Sequence, residues 1–335
     1  MWGTAADTGV PNKRGGSQVV IIPHFFGHQM RVFRGFLRPV PGPTAVAIGN
    51  FDGVHRGHGA LLGRLGDVAR EFSLPPTILT FEPHPREFFS PASAPARLTT
   101  FREKLELLAD AGVEQAMVCR FNAAFAALSA EQFIEQVLVR GLRVRHLIIG
   151  DDFRFGKGRS GDFSLLQEAG AQHRFAVEAM GSVTVDGERV SSSGVRAALA
   201  AGEMEHAARL LGRPYIIDGQ VAHGDKIGRQ LGFATANIRI KHNPLPMTGV
   251  FAVEVSGLGD QPLPGVANLG IRPTVGGTRP LLEVHLFDFE RDIYGAHISV
   301  RFVHKLRNEQ RFPNFDALKA QIAADAAAAR AFFTL

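Results

Sequence analysis

The chain of 335 residues holds a single cysteine, Cys119, and no run of apolar residues long enough to cross a bilayer. One thiol excludes an internal disulfide and any multi-cysteine zinc site, and it suits a reducing compartment, so a cytoplasmic location is expected. A membrane-spanning helix needs about 18 or more consecutive apolar residues, so no membrane partner is expected. Basic residues are scattered rather than gathered into a stripe, and the net charge is only +5. That balance suits phosphate-bearing ligands and leaves no footprint for nucleic acid. There is no HExxH pattern, no Walker A loop ending in GK[ST], no internal repeat and no low-complexity tract. Core-forming material, by contrast, is present in ordinary amount: 45% hydrophobic against 21% charged residues, in a length that accommodates two domains.

Residues 1–29 differ in texture from the rest of the chain. They lack the clean apolar core and small-residue cleavage site of a signal peptide, and are expected to be a disordered extension, with the folded chain starting at Met30. From Met30 to about Gly181, apolar strand-like runs ("TAVAIGN", 44–50; "PTILTF", 76–81; "EQAMVCRF"; "VRHLIIG", 144–150) alternate with helical patterns. Leu61, Leu62, Leu65, Val68, Ala69 and Phe72 form one helical stripe, and Ser129 with Gln132 three residues later marks a helix start. Strands separated by helices of this length predict a parallel, doubly wound sheet, whose ligands bind at the carboxyl ends of strands. From about Arg213, strand-like runs are joined by Gly/Pro turns, which predicts an antiparallel barrel or sandwich. A final helical segment is expected to turn Phe315, Leu318, Ile322, Ala329 and Phe332 or Phe333 inward. The expected units are residues 30–185, a helical connector over 186–212, and 213–335.

The stretch "TAVAIGNFDGVHRGH" (44–58) carries the clearest chemistry. Alone, His55 and His58 could ligate a metal, sit in a surface loop or cradle phosphate. Metal needs a third ligand of fitting geometry, and none is nominated nearby. The context favours phosphate, because a strand ends, glycines allow close approach, and a helix N-terminus offers free amides and partial positive charge. "SSSGVR" (191–196) is a second predicted helix start, where the Ser192 hydroxyl and the Arg196 guanidinium could form another phosphate clamp. Asp152 and Phe155 follow a strand end; a carboxylate there can hold a sugar-like hydroxyl, and Phe155 with Phe89 could pack on a flat ring or simply be core. In the second half, Thr235 and Asn237 are hard oxygen ligands suited to Mg²⁺. Glu283 alternates with Leu282, Val284 and Leu286, and a carboxylate on the inner face of a barrel would need a functional reason.

"GNFDGVHRGH" resembles the HxGH signature of the nucleotidyltransferase superfamily, in the form found in bacterial bifunctional riboflavin kinase/FAD synthetases. "TFEPHPREFF", "IGDDFRFGKGRSGD" and "VSSSGVRAAL" follow in that family's order. "GQVAHGDKIGRQLGFATAN", "GVANLGIRPTVGG", "LLEVHLFDFERDIYG" and "FVHKLRNEQRF" resemble its kinase half. The resemblance implies an α/β chain: a Rossmann-like parallel sheet of the HxGH type (30–185), then an antiparallel β-barrel with a terminal helix. It implies that the barrel phosphorylates riboflavin to FMN and that the first half adenylylates FMN to FAD, with ATP as co-substrate and Mg²⁺ as cofactor. By the same resemblance His55, His58, Ser192 and Arg196 serve adenylyl transfer and Glu283 is the kinase base. ATP contacts fall on Gly49, Phe51, Asp52, Gly57, Gly224, Gly228, Arg229 and Gly232. Phe89, Asp152, Phe155 and Arg307 meet the flavin, and Thr235 and Asn237 hold the metal. The sequence departs from the family at Ala234, where the family carries proline; the loss costs about 0.4–1 kcal/mol of preorganisation, too little to remove a site whose ligating atoms remain. An adenylyltransferase with an idle kinase half is the first alternative, and a non-catalytic flavin- or nucleotide-binding regulator the second. A monomer or weak homo-oligomer is expected, with riboflavin, FMN and ATP as its small-molecule partners.

Overall fold

The computed structural model describes residues 20–23, 29–223, 233–240, 244–274 and 277–335. Strand β1 (Val20–Pro23) pairs antiparallel with β2 (Gln29–Arg34) at one edge of the first sheet; the remainder of the N-terminal extension lies outside the described residues. Six parallel strands follow in spatial order β2-β5-β4-β3-β6-β7, with β3 at Thr44–Ile48, β4 at Pro76–Glu82, β5 at Gln115–Arg120, β6 at Val144–Gly150 and β7 at Ala176–Met180. Helices α1 (Arg56–Glu71), α2 (Pro85–Phe89), α3 (Phe101–Asp110), α4 (Ala123–Ala126), α5 (Ala130–Gln132) and α6 (Phe163–His173) connect them. From α5 the chain continues as a π-helical stretch over Phe133–Gly141.

All five residues of β3 are buried, as a central parallel strand covered on both faces requires. Ala45 and Ala47 meet Leu65 and Val68 of α1 and Leu105 and Leu108 of α3. Val46 and Ile48 meet Phe133, Val137 and Leu138 on the other face. Thr100 with Glu103, and Ser129 with Gln132, form reciprocal capping boxes that start α3 and α5. Strand β3 lies between β4, from which the chain proceeds to one side, and β6, from which it proceeds to the other. That is the topological switch point, and the loop carrying both histidines leaves it.

A short hairpin of β8 (Thr184–Val185) and β9 (Glu188–Arg189) leads into α7 (Ser192–Ala201) and α8 (Met204–Leu211). Each of these helices ends at a left-handed glycine, Gly202 (φ 85°) and Gly212 (φ 81°). Strands β10 (Ile216–Ala222), β11 (Ala236–Arg239), β12 (Gly249–Ser256), β13 (Leu263–Thr274), β14 (Gly277–Leu286) and β15 (His297–Arg307) close an antiparallel barrel in the order β10-β11-β14-β13-β12-β15. The barrel, rather than the sandwich, is therefore the architecture of the second half. Helix α9 (Phe315–Phe333) lies on its outside.

The barrel corrects two inward-facing expectations. Leu282, Val284 and Leu286 fill its interior, so by strand alternation Glu283 faces outward, not inward. Of the residues expected to face inward on helix α9, Ala329 is buried beside Ala326 and Phe333 packs against the same cluster, whereas Phe315 stays 52% and Phe332 44% exposed.

Candidate active sites

The loop after β3 is held in an unusual backbone. Phe51, Gly53 and Val54 have φ of 51°, 82° and 39°. The β-branched Val54 is the costly member, because its side chain crowds the backbone in the left-handed region. What holds the loop comes from elsewhere in the chain. The Asp52 carboxylate accepts from the Leu98 and Thr99 amides (3.0 and 3.3 Å) and pairs with Arg196. The Ser192 hydroxyl donates to the Asp52 carbonyl (2.9 Å), and Thr99 Oγ1 accepts from the Gly53 amide (3.2 Å). Arg196 also donates to the Ala96 carbonyl (2.5 Å). Ser192 and Arg196 thus reach the histidine loop, and their partners here are the loop itself and the segment beside it.

His55 is the N-cap of α1. Its Nδ1 accepts from the His58 amide (3.3 Å), so in the neutral ring the proton sits on Nε2. The two imidazoles stack with centroids 3.7 Å apart. A Cβ on Gly57 would stand 3.2 Å from the His55 ring, which is why glycine suits the position between them. Burial lowers the His55 pKa to about 4, against the opposing attraction of Asp52. His58 is pushed well below its usual range by burial and then by His55 and Lys104. Both rings are therefore neutral near pH 7 and can each offer an N–H to an oxyanion. Among the described residues, the buried His58 Nδ1 has no hydrogen-bond partner. The His58 amide is taken by the His55 cap, and the Arg56 and Gly57 amides before it have no intrahelical acceptor, so they add donors at the same place.

Gly49 and Phe51 belong to the loop's packing. Phe51 is fully buried, and a Cβ on Gly49 would meet its ring at 3.2 Å. Sequence reasoning missed Lys104, whose buried ammonium donates to the Asn50 carbonyl (3.3 Å) and lies 3.9 Å from Glu82. It also missed Arg97, which binds Glu82 and Glu87 and so fixes the end of β4 to α2. A lysine inside the apolar stripe of α3 was the available signal for the first; nothing in the pattern marked the second.

The flavin candidates fall at two ends of one row of rings. Phe89, Phe121, Phe125, Phe133 and Phe155 contact in sequence at centroid separations of 5.5, 5.5, 6.3 and 5.1 Å. Phe89 is 65% exposed and offers a free face, whereas Phe155 is 6% exposed and packs between Phe133 and Phe153. Asp152 is exposed and paired with Arg189 at 3.1 Å.

In the barrel, strand register sets Asn237 directly beside Glu283, with Asn268 on its other flank. Thr235 and Asn237 line a cavity of about 200 Å³ together with Val284, Asp292 and Tyr294. Asn237 Nδ2 donates to the Thr235 carbonyl (3.3 Å). Its Oδ1 and the Thr235 hydroxyl form a neutral, hard donor set beside a carboxylate, which fits a Mg²⁺ that draws its other ligands from phosphate and water. Among the described residues no cluster of three His, Cys, Asp or Glu could hold a metal alone. Ala234, at the position of the family's proline, has its carbonyl bound by the His285 Nδ1–H (2.9 Å), which constrains the same backbone. Arg307 is engaged by Asp325 of α9 through two bonds of 2.8 and 2.6 Å, so its guanidinium clamps the helix rather than facing open space. Gly224, Gly228, Arg229 and Gly232 lie outside the described residues.

A donor-lined loop at the switch point of a parallel sheet, fused to a barrel with a cavity of its own that Thr235, Asn237 and Asp292 help to line, defines a two-site transferase acting on nucleotides. Residues 38–194 match the family model for FAD synthetase and residues 211–333 that for riboflavin kinase. The bifunctional riboflavin kinase/FMN adenylyltransferase of Escherichia coli K12 is 51% identical over 309 residues, covering 91% of this chain and 99% of the relative. That of Pseudomonas fluorescens is 50% identical over 305 residues, covering 90% and 97%. A crystal structure described as a macrolide-efflux protein from Streptococcus pneumoniae shares the fold with a TM-score of 0.75 at 28% identity, over 89% of this chain and 98% of its own. The chain belongs to the bifunctional riboflavin kinase/FMN adenylyltransferase family. Among the described residues no helix is long and apolar enough to cross a membrane.

Proposed function

We propose a division of labour for the family's two reactions in this chain, and the juxtaposition of His55, His58 and the α1 N-terminus at the switch point of the sheet carries it. The chain phosphorylates riboflavin to FMN with ATP, then adenylylates FMN to FAD with release of pyrophosphate. In the second reaction an FMN phosphate oxygen attacks the α-phosphorus of ATP, and the bond to the β-phosphate oxygen breaks. Neutral His55 and His58 donate N–H groups to the oxygens on which charge grows, while the α1 amides receive the phosphates. Asp52, Ser192 and Arg196 keep the loop in place, and Arg196 can also exchange its carboxylate partner for phosphate. Gly49, Phe51 and Gly57 shape the loop, and Phe89 with Asp152 receives the flavin.

In the barrel, Glu283 takes the proton of the riboflavin 5′-hydroxyl as that oxygen attacks the γ-phosphorus of a second ATP, and the bond from that phosphorus to the β,γ-bridging oxygen breaks to release ADP. Thr235 and Asn237 would hold a Mg²⁺, which when bound would neutralise charge on the ATP phosphates. The hydrogen bond from His285 to the Ala234 carbonyl supports retained kinase activity despite the missing proline. The units run over 30–185, 186–212 and 213–335, and the protein acts in the cytoplasm as a monomer or weak homo-oligomer without nucleic acid.

The test is a time course with riboflavin, ATP and Mg²⁺, following FMN and FAD separately. FMN forms first and FAD after it, and chelating the Mg²⁺ stops both. His58→Ala lowers FAD formation by about 10²–10³-fold, the usual cost of one oxyanion donor, and spares FMN formation. Glu283→Gln does the reverse when FMN is supplied. Equal loss of both activities in either folded variant overturns the division.

A further inference from the structure

The loop that carries His55 is braced from the far half of the chain. Three successive carbonyls, those of Asp52, Gly53 and Val54, each accept a hydrogen bond from a residue beyond position 190. Ser192 binds the first (2.9 Å), and Arg213 binds the second and third through Nη2 (2.7 Å) and Nη1 (3.1 Å). Arg213 stands between α8 and β10, at the entry to the barrel. It is among the groups whose charge acts on His55. Gly53 is pressed from the same side, since a Cβ there would stand 2.8 Å from Leu98 and 3.5 Å from Leu211.

We infer that Arg213 is a positioning residue for adenylyl transfer, a strut from the kinase half that fixes the peptide planes on which His55 is mounted. The planar peptide transmits the effect. The Val54 carbonyl and the His55 amide share one plane, so fixing the first orients the second and the start of α1. Val54 has a positive φ that its branched side chain resists. Such a conformation persists only where surrounding contacts over-determine it. A planar fork that holds two consecutive carbonyls at fixed angles can do this; an ammonium, a rotatable point charge, imposes no such geometry. Arg213 is half-buried beside the loop, and the loss of water there disfavours its charge, so the two carbonyls are its compensation for lost water. It is not among the residues that line the cavity beside Thr235.

The inference rests on the reading of His55 and His58 as the adenylyl-transfer site, and the experiment separates the two. Full-length wild type, Arg213→Gln, Arg213→Lys and His58→Ala are assayed for FMN-to-FAD and for riboflavin-to-FMN conversion on the same preparations. Arg213→Gln lowers the adenylylation kcat by about 10²-fold, the scale of a small misplacement of catalytic groups. The KM for ATP and the flavokinase rate stay within about twofold. Arg213→Lys, which keeps the charge and loses the fork, falls between Gln and wild type. A kcat within about twofold of wild type in Arg213→Gln overturns the strut, and so does a parallel fall of both activities, which marks general loss of structure. If His58→Ala retains full adenylylation, the site reading fails and the strut fails with it.

Discussion

His55 keeps only 7% of its surface exposed, yet it must act as a hydrogen-bond donor to an anion. Burial reconciles the two demands, because it keeps the ring neutral and leaves one N–H on Nε2 with the other nitrogen spent on the helix cap. The same burial links His55 to stability. With a folded pKa of about 4 against an ordinary 6.5, the unfolded chain binds a proton that the folded chain refuses across that interval. Stability therefore rises with pH there. The contribution is whole above pH 6.5 and is lost as the pH falls through about 4, and it is worth about 3 kcal/mol. His58, lowered in the same direction and for the same reason, adds to it. His55→Asn keeps a good N-cap and removes the titration. Urea unfolding of wild type and His55→Asn at neutral pH and near pH 4.5 should show a smaller acid loss in the variant. Equal losses would mean that His55 is not the group refusing the proton.

At the scale of elements, two ion pairs help to seat the terminal helix, Arg307 with Asp325 and Arg330 with Asp288. Arg307 of β15 forks onto Asp325, which Gln321 also binds at 2.9 Å. Beyond these pairs Ala326 and Ala329 pack with Val250, Ala252, Val266 and Phe287, and Phe333 lies against the same cluster. Removing one partner of a largely buried pair leaves the other charge stranded, at about 3 kcal/mol. Asp325→Ala is expected to lower the unfolding free energy by that amount, and Arg307→Lys to follow it in the same direction. An Asp325→Ala variant of full stability but poor riboflavin affinity would return Arg307 to the flavin. The same elements mark what sequence could and could not reveal. Periodicity gave β3, β4, β5 and β6, and the capping box at Ser129 gave a helix start, because those signals are local. Strand β7 escaped: its burial pattern alternates weakly, as an edge strand needs little apolar surface. The outward face of Glu283 escaped as well. Strand alternation separates two faces but does not say which one closes on itself when a sheet becomes a barrel. Asn237 and Glu283 were chosen separately, and only register, a long-range property, sets them side by side.

The whole molecule departs further from the picture of two beads on a connector. One continuous hydrophobic cluster includes Leu98 from the first half, Val195, Leu199 and Leu211 from the connector helices, and Ile217, Phe251 and Leu282 from the barrel interior. Leu98 bears directly on Gly53 in the histidine loop, together with Leu211. Lys305 of β15 lies over Gly202 at the end of α7, so closely that even a Cβ there would collide with its chain. A core shared in this way makes the connector part of both sites, and it removes the physical basis for one half melting while the other stands. The adenylylation and flavokinase activities should therefore decay together on heating, with residual activity after timed incubations giving one midpoint for both. Leu211→Ala deletes buried methyl groups at the centre of that shared core, at about 2–5 kcal/mol. It should lower both midpoints by the same interval, although it touches neither the cavity beside Thr235 nor the imidazoles. Two well-separated midpoints in the wild type, or a Leu211→Ala shift confined to one activity, would show that the halves keep independent cores and that the cluster is only a seam between them.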